Sequence, residues 1–281
     1  MAKKALLIGI NHYQIPGNDL RGCVNDVKSM QTTLKKYYGF KSADLTTLLD
    51  DQATTKAMRS EIQKLVTTAK AGDVLLLHYS GHGSNVPDKN GDEADHRDEI
   101  LCPTDLNWND PLLDDWLRLT FDKLHPQASL TVIFDCCHSG TATRAINFDP
   151  KGPRSKYLAS PWDLMAVETK KKLTGTTRGT RGALYAAGTK RSDVVTANIA
   201  EVLVSGCRDT QTSADAFIGG KFNGALTYFL VETIKQAEGK LTNRELHKQT
   251  IAGIKAGQYE QVPQLEGRTT NLDRPFLSPI V

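Results

Sequence analysis

Two apolar runs that each lead into a chemically reactive side chain constrain this sequence more than any other feature. Val74–Ser80 leads into Gly81-His82-Gly83, and Leu130–Phe134 leads into Asp135-Cys136-Cys137. Short apolar runs bounded by glycine predict buried strands of a parallel sheet. Ligands bind beyond the carboxyl ends of such strands, where a histidine and a cysteine can meet as base and sulfur nucleophile. The pair therefore indicates a cysteine hydrolase.

Strand and helix signals alternate along the first half of the chain. Ala5–Ile10 and Ala43–Leu49 have the composition of strands, and Asn25–Tyr38 and Thr54–Lys70 that of helices. Such alternation predicts an α/β fold with a mostly parallel central sheet flanked by helices on both faces. The later predicted elements are strands at Glu99–Cys102, Ala183–Ala187 and Ala200–Ser205 and helices at Leu113–Leu124, Ala225–Lys235 and Asn243–Ala256.

Composition limits the partners and the compartment. The chain has 281 residues, 39% hydrophobic and 24% charged, which suits a soluble protein with a sizeable core. Its formal net charge of +3 is too small to indicate nucleic acid or a membrane surface as partner, and no apolar stretch is long enough to span a bilayer. Five scattered cysteines, an odd number, favour a reduced, cytoplasmic protein over a disulfide framework.

Cys137 and His82 are the candidate nucleophile and base. A cysteine attacks as a thiolate and needs a nearby base, and histidine titrates near neutral pH. His138 is the rival base, but adjacent side chains of an extended segment point to opposite faces, so His82 is preferred. The backbone N–H groups of Gly83 and Cys137 are the candidate oxyanion donors.

The same residue types elsewhere are expected to be structural. Free cysteines at strand ends are most often small buried apolar groups. That interpretation applies to Cys102, Cys136 and Cys207, and His78, inside its strand, is expected to be a packing residue.

Four segments carry a resemblance to a known family. They are His78–Gly83, Asp135–Gly140, Gly22–Asp26 and Ser205–Asp215. In this order they resemble the histidine motif, the cysteine motif, the motif after the first strand and the small-subunit motif of the metacaspases. These are the caspase-like cysteine peptidases of plants, fungi, protists and bacteria. Cys136 stands where the family commonly has a serine.

The resemblance implies a caspase-like α/β fold in a single peptidase domain, residues 1–281. Its layout is similar to the prokaryotic type sometimes called orthocaspase, with no prodomain and no appended C-terminal domain. The implied parts are a p20-like region at 1–143, a basic linker at 144–182 and a p10-like region at 183–281. The resemblance also implies a monomer.

The resemblance further implies cleavage of protein or peptide substrates after Arg or Lys. A basic side chain calls for carboxylates, which pair well with a guanidinium. Asp26 and Asp135 match the family's pocket positions, with Cys23 and Ser80 in the lining. Two plainer roles stay open. Asp135 could cap backbone N–H groups of the following turn, and Asp26 could simply lie near a helix N-terminus, where an acidic side chain is favoured.

Calcium is the cofactor that the resemblance raises, and no organic cofactor is implied. Asp98, Asp114 and Asp115 match acidic positions of the family's calcium site. The further acidic position, shortly after the cysteine motif, holds Arg144. A cation there repels Ca²⁺ and could replace it electrostatically, so a calcium requirement stays open.

The basic linker gives a prediction of its own. Its composition from Arg144 to Arg181, rich in Lys, Arg, Thr, Gly and Pro, predicts a long exposed loop, which is either a solvated connection or functional. An enzyme that cuts after Lys or Arg would find substrate sites there, so we expect self-cleavage in this linker. The candidate positions are Lys151, Arg154, Lys156, Lys170, Lys171, Lys172, Arg178 and Arg181.

Two other functions compete with an Arg/Lys-specific peptidase. One is a cysteine peptidase of different specificity on the same fold. The other is a catalytically silent caspase-like scaffold, against which the retention of both His82 and Cys137 argues.

Overall fold

Six strands with largely buried side chains form the central sheet of the protein. The computed structural model describes residues 1–88, 96–138, 152–166, 201–208 and 211–280. Its strands are β1 (Lys3–Gly9), β2 (Leu45–Leu49), β3 (Val74–Ser80), β4 (Gly83–Pro87), β5 (Arg97–Leu101), β6 (Leu112–Leu113), β7 (Ser129–Asp135), β8 (Arg154–Ser155), β9 (Val202–Ser205), β10 (Ala214–Ile218), β11 (Lys221–Gly224) and β12 (Gln264–Glu266). Its α-helices are α1 (Cys23–Tyr37), α2 (Thr55–Thr67), α3 (Asp114–Phe121), α4 (Ala225–Gln236), α5 (Asn243–Ala256) and α6 (Thr269–Leu272).

The central sheet has the strand order β12-β9-β7-β3-β1-β2. All neighbours pair in parallel except β12, which runs antiparallel to β9 at the edge. This confirms the predicted α/β fold with a mostly parallel sheet. The sequence periodicity explains the result, because a strand covered on both faces is apolar at every position.

Helices cover both faces of the sheet, and two buried clusters separate them. Leu6 and Ile8 of β1 face the cluster that contains α2 and α3, whereas Leu7 faces the cluster that contains α1, α4 and α5. In α2 the buried residues recur at helical spacing, at Met58 and Ile62 and again one turn later. No helix in the described ranges combines the length and apolarity needed to cross a membrane.

The carboxyl ends of β3 and β7 lie side by side. The two strands are in register from Val74 with Ser129 to Ser80 with Asp135. The segments that follow them, which carry His82 and Cys137, therefore leave the sheet at the same edge. This arrangement agrees with the crevice that the two apolar runs predict.

Two short hairpins were not predicted from the sequence. β4 pairs with β5 in an antiparallel manner, and β10 pairs with β11. Glycine, serine, asparagine and proline occupy most of Gly83–Pro87, and these residues usually indicate a turn. The strand predicted at Ala183–Ala187 lies outside the described residues.

The prediction of an exposed loop is wrong for residues 152–166. Arg154–Ser155 forms a strand, residues 161–166 are helical, and Lys156 and Leu158 are buried. Basic and small residues led to the prediction of solvent exposure. That prediction holds for Leu164 and Met165, which are exposed, but not for Lys156, whose ammonium group pairs with buried carboxylates. The remaining residues of that predicted loop lie outside the described ranges.

His78 joins the sheet to α4. Its imidazole is fully buried on β3, and Nε2 lies 3.1 Å from the Thr227 hydroxyl. Burial lowers the pKa of His78 to about 4. The side chain is therefore a neutral packing residue, as the sequence predicts.

The folded chain should lose stability in acid through His78. The unfolded chain takes up a proton near the ordinary pKa of 6.5, whereas folded His78 stays neutral until about pH 4. This contribution is present above pH 6.5 and is lost as the pH falls toward 4. Between pH 7 and pH 5, the loss of unfolding free energy should be smaller by about 2 kcal/mol in His78→Gln than in the wild type. Urea unfolding at both pH values measures it, and an equal loss in both proteins would contradict the assignment.

Candidate active site

His82 follows β3 and is held by hydrogen bonds on two sides. Its ring Nε2 lies 2.8 Å from the Asn18 carbonyl oxygen, and its backbone N–H donates to the Tyr13 hydroxyl at 2.7 Å. A carbonyl only accepts, so Nε2 carries the hydrogen and Nδ1 the lone pair. Nδ1 has no hydrogen-bond partner within the described part of the chain. Burial lowers the pKa of His82 to about 4, so the imidazole is neutral in the folded protein.

Two tyrosines fix the turn that carries His82. The Tyr79 hydroxyl donates to the His82 carbonyl at 2.6 Å and to the Cys102 carbonyl at 3.0 Å. The Tyr13 ring packs against the imidazole with centroids 4.9 Å apart. The backbone and ring of His82 are thus oriented independently of any substrate.

Cys137 lies two residues beyond the end of β7 and is fully buried. Its Sγ accepts a hydrogen bond from the backbone N–H of Ser213 and lies 2.9 Å from the Cys207 Sγ. Burial raises the pKa of the Cys137 thiol well above its usual range, and Cys207 adds to the rise. Among the described residues no hydrogen bond joins Cys137 to His82. The two side chains share one edge of the sheet, but the sulfur is directed toward Ser213 and Cys207.

Two backbone donors, one of them the N–H of Cys137 itself, converge on one carbonyl oxygen. The N–H groups of Gly83 and Cys137 donate to the Lys156 oxygen at 2.9 and 3.4 Å. A Cβ on residue 83 would collide with the backbone carbonyl of Cys137, so glycine permits this close approach. These are the two donors predicted from the sequence for an oxyanion.

The Lys156 side chain ends in a buried acidic pocket, which we define as Asp26, Ser80 and Asp135. Its Nζ lies 3.1 Å from Asp135 Oδ1, 3.4 Å from Asp26 Oδ2 and 2.8 Å from Ser80 Oγ. All four side chains are fully buried. Burial alone lowers the pKa of Lys156, but Asp135 and the other nearby anions raise it well above the usual value. The lysine is therefore charged.

Asp135 is held as a carboxylate by several donors. Its Oδ2 accepts from the Thr227 N–H at 2.9 Å and hydroxyl at 2.7 Å, and its Oδ1 accepts from the Ser213 hydroxyl at 2.8 Å. Burial raises the pKa of Asp135, but Lys156 and Thr227 together bring it below the ordinary value. In these contacts Asp135 serves the pocket rather than capping the turn after β7.

Asp26 combines the two roles considered for it. It lies in the first turn of α1 and also lines the pocket, where it accepts from the Ser80 hydroxyl at 2.6 Å and the Gly224 N–H at 3.0 Å. Burial raises the pKa of Asp26 to about 7, although Lys156 opposes the rise. Cys23, three residues earlier, is also fully buried, and burial raises the pKa of its thiol.

Three residues of the site were not identified from the sequence. Asp215 on β10 is a further buried carboxylate, and it accepts a hydrogen bond from the Arg21 N–H at 2.7 Å. Burial raises the pKa of Asp215. The negative charge of Asp215 in turn raises the pKa of Lys156. Ser213 contacts the nucleophile and Asp135, and a Cβ at Gly224 would collide with the Lys156 Nζ and with Asp135. The first two lie in the small-subunit motif, which was the available signal, whereas Gly224 gave none.

The backbone around Lys156 runs through the site as an extended strand. β8 pairs antiparallel with β10, and the Lys156 N–H donates to the Ser213 carbonyl at 3.0 Å. On the other side, the Leu158 N–H donates to the Gly83 carbonyl at 2.9 Å. Residues 154–158 are therefore bound by backbone hydrogen bonds on both sides of the Lys156 carbonyl.

The predicted calcium ligands do not form a metal cluster in the structure. Asp98 is buried on β5, and Asp114 and Asp115 begin α3. Within the described ranges, no group of three or more His, Cys, Asp or Glu side chains is placed to hold a metal ion. Arg144 lies outside the described residues.

Two of the self-cleavage candidates lie within the described residues, and the others lie outside them. Arg154 lies on β8, where its guanidinium donates to the Asp19 carbonyl at 2.5 Å, and Lys156 fills the acidic pocket. The candidates outside the described residues are Lys151, Lys170, Lys171, Lys172, Arg178 and Arg181.

Comparison with known proteins shows which family the chain resembles. A family model described as metacaspase, peptidase C14 domain, matches residues 3–145. Metacaspase-1B of Neosartorya fischeri is 36% identical over 288 residues, which cover 94% of this chain and 68% of that protein. The chain belongs to the metacaspase family. The coarse prediction of a caspase-like cysteine peptidase is thereby confirmed.

Two solved structures share the fold of this metacaspase. A crystal structure of a Geobacter sulfurreducens protein matches over 100% of both chains with a TM-score of 0.68 and 26% identity. Caspase-1 from Spodoptera frugiperda covers 94% of this metacaspase and 86% of its own chain, with a TM-score of 0.53 and 13% identity. The second match shows a shared caspase fold.

Gly224→Ala should expel the lysine from the acidic pocket. The added methyl group would occupy the position of the Lys156 Nζ, which is shielded from solvent in the native protein. Lys156 should then react with an amine-acylating reagent as readily as Lys240, whose side chain is 77% exposed. Peptide mass spectrometry after brief acylation measures this, with circular dichroism as the check of folding. A folded variant in which Lys156 stays protected would contradict the assignment.

Proposed function

We propose that this metacaspase is an endopeptidase that cleaves after Arg or Lys, with Cys137 as nucleophile and His82 as base. The observation that carries the proposal is the placement of Lys156. Its ammonium group lies against Asp135 and Asp26, and its carbonyl oxygen accepts from the Gly83 and Cys137 N–H groups. One basic residue of the chain thus has the pose expected of a substrate residue before the scissile bond.

The charge of the pocket supports the specificity. Asp26, Asp135 and Asp215 are buried carboxylates, and burying them close together is costly unless a cation joins them. A lysine ammonium or an arginine guanidinium supplies that cation, and the guanidinium can form two parallel hydrogen bonds to carboxylates. An aspartate side chain in the same position would add a further negative charge. We therefore expect exclusion of acidic residues before the cut.

The proposed chemistry follows from the groups around the Lys156 carbonyl. The Cys137 sulfur, after transfer of its proton to His82 Nδ1, forms a bond to the substrate carbonyl carbon. The N–H groups of Gly83 and Cys137 stabilise the negative oxygen. The carbon–nitrogen bond then breaks as the imidazolium donates its proton to the leaving amine. Water, deprotonated by His82, hydrolyses the thioester and releases Cys137.

The sulfur must turn before it can attack. In the structure Cys137 Sγ accepts from Ser213 and lies beside Cys207, with no described hydrogen bond to His82. The same arrangement favours the alternative of a silent scaffold. An Arg-directed electrophile distinguishes them, because an active enzyme is labelled at Cys137 and a scaffold is not.

Peptides that differ only before the cut should show the specificity. We expect cleavage after Arg and Lys, none after Asp, and no cleavage by Cys137→Ala. Asp26→Asn should lower kcat/KM for the basic peptides by about tenfold to a hundredfold, the value of one hydrogen bond to a charged group. Fluorogenic peptides, with and without Ca²⁺, measure these rates.

Glu238→Gln is the matched control for Asp26→Asn, because it removes one carboxylate from an exposed position. It should cleave at the wild-type rate. Cleavage after Asp, or equal losses in the two variants, would refute the assignment of the pocket.

We also propose that the Lys156–Tyr157 bond is a self-cleavage site. Lys156 is the described candidate that reaches both the acidic pocket and the two backbone donors. The pose also supports competition between this segment and external substrates for the same cleft. Removal of the segment after cleavage would then open the cleft.

Self-cleavage should depend on the side chain at residue 156. Lys156→Arg should still be cut, because a guanidinium also pairs with carboxylates, whereas Lys156→Gln should not be cut at this bond. Arg154→Gln is the control, because it removes a basic side chain on β8, two residues before Lys156. It should be cut like the wild type. Mass spectrometry of the fragments should find a new N-terminus at Tyr157 that is absent from Cys137→Ala. Identical uncut chains under all conditions would rule out self-cleavage.

A further inference from the structure

The candidate nucleophile has a second sulfur beside it. Cys137 Sγ and Cys207 Sγ are 2.9 Å apart. A disulfide bond length is about 2.05 Å, so the two sulfurs need to approach by only about 0.9 Å. Both cysteines are free thiols in the structure.

The fold itself brings the two cysteines together. β7 and β9 are parallel neighbours with Phe134 opposite Ser205, so the segments that follow them leave the sheet side by side. A Cβ on Gly206 would lie 2.7 Å from the Cys136 carbonyl oxygen, which means that glycine lets the two backbones approach. The paired strands therefore keep the two cysteines adjacent, and the side-chain rotamers in the structure bring the two sulfurs together.

The two cysteines differ in their exposure to solvent. Cys137 is fully buried, whereas Cys207 is 9% exposed and its thiol donates to the Gln211 carbonyl at 3.3 Å. Cys136, next to the nucleophile in sequence, instead contacts the His138 ring, with Sγ 3.6 Å from Nε2. Among the described residues, Cys207 is thus the cysteine placed to react with Cys137.

We propose that Cys137 and Cys207 form a reversible disulfide that inactivates the enzyme under oxidising conditions. This inference concerns regulation of the proposed catalytic site and rests on that proposed function. The disulfide uses up the attacking sulfur and holds it on the side away from His82. Reduction by a thiol returns both cysteines and with them the activity.

The oxidant is a peroxide. It transfers one oxygen atom to the sulfur of the more accessible Cys207, which gives a sulfenic acid and releases water or an alcohol. The Cys137 sulfur then attacks the Cys207 sulfur, the sulfur–oxygen bond breaks, and the leaving hydroxide takes the Cys137 proton to form water. With hydrogen peroxide, two thiols and one peroxide yield one disulfide and two water molecules.

The full-length protein tests the proposal by peptide mapping. The chain is treated with hydrogen peroxide, its remaining thiols are alkylated, and it is digested and analysed by mass spectrometry without reduction. We expect a linked peptide pair containing Cys137 and Cys207, absent after dithiothreitol and absent from Cys207→Ser. Linkage of Cys137 to another cysteine, or no linked pair at any peroxide concentration, would overturn the proposal.

Activity separates the disulfide from simple damage to the nucleophile. Cys207→Ser should cleave an Arg peptide when reduced, and so should the control Cys136→Ser. After peroxide, the wild type and Cys136→Ser should lose more than about tenfold in rate and regain it with dithiothreitol. Cys207→Ser should keep most of its activity after the same peroxide treatment, because Cys137 is fully buried and the more accessible thiol that starts its oxidation is gone. A loss in Cys207→Ser that equals the wild-type loss and is likewise reversed by dithiothreitol would contradict the proposed pairing.

The two proposals can fail separately. A linked Cys137–Cys207 pair in a chain that cleaves no basic peptide would refute the peptidase function and leave the disulfide established. An enzyme that cleaves basic peptides but forms no linked pair would support the peptidase function and refute the disulfide. In a chain cut after Lys156, the disulfide would also join the two fragments on a non-reducing gel.

Discussion

The buried ion pairs of Lys156 determine how the parts of this metacaspase fit together. The carboxylates around its ammonium come from three places: Asp26 from α1, Asp135 from the end of β7 and Asp215 from β10. Without a cation, these groups would repel one another in a region closed to water. The lysine satisfies them and draws residues 154–158 into the cleft. Under the proposed specificity, an arginine or lysine of a substrate would replace this lysine by supplying the same charge.

The parallel sheet then explains why reactive groups gather at one edge. Neighbouring strands β3, β7 and β9 end next to one another, and the segments beyond them carry His82, Cys137 and Cys207 in that order. Cys137 occupies the middle position between a base and a second thiol. Under the two proposals, the direction of the Cys137 sulfur, toward His82 or toward Cys207, decides whether catalysis or disulfide formation is available.

The sequence predicted the sheet and the two strand ends because both depend on local periodicity. His82 and Cys137 follow apolar runs, and Asp26 and Asp135 belong to motifs, so each had a local signal. The burial of Lys156 had none. A lysine among glycine, proline and arginine indicates solvent, and the groups that bury it lie 21 and 130 residues away in the chain. Gly224 was missed for the same reason, since only the assembled pocket requires the absence of its side chain.

The backbone pairing on both sides of Lys156 has a consequence for the binding of other peptides. A segment attached to the same chain has an effective concentration on the order of millimolar at its own binding site. A free peptide with the same intrinsic affinity must approach that concentration before it occupies half of the clefts. If the proposed competition holds, molecules not cut after Lys156 would bind only substrates that are abundant or have high affinity, and the tethered strand would set the substrate concentration at which the enzyme responds.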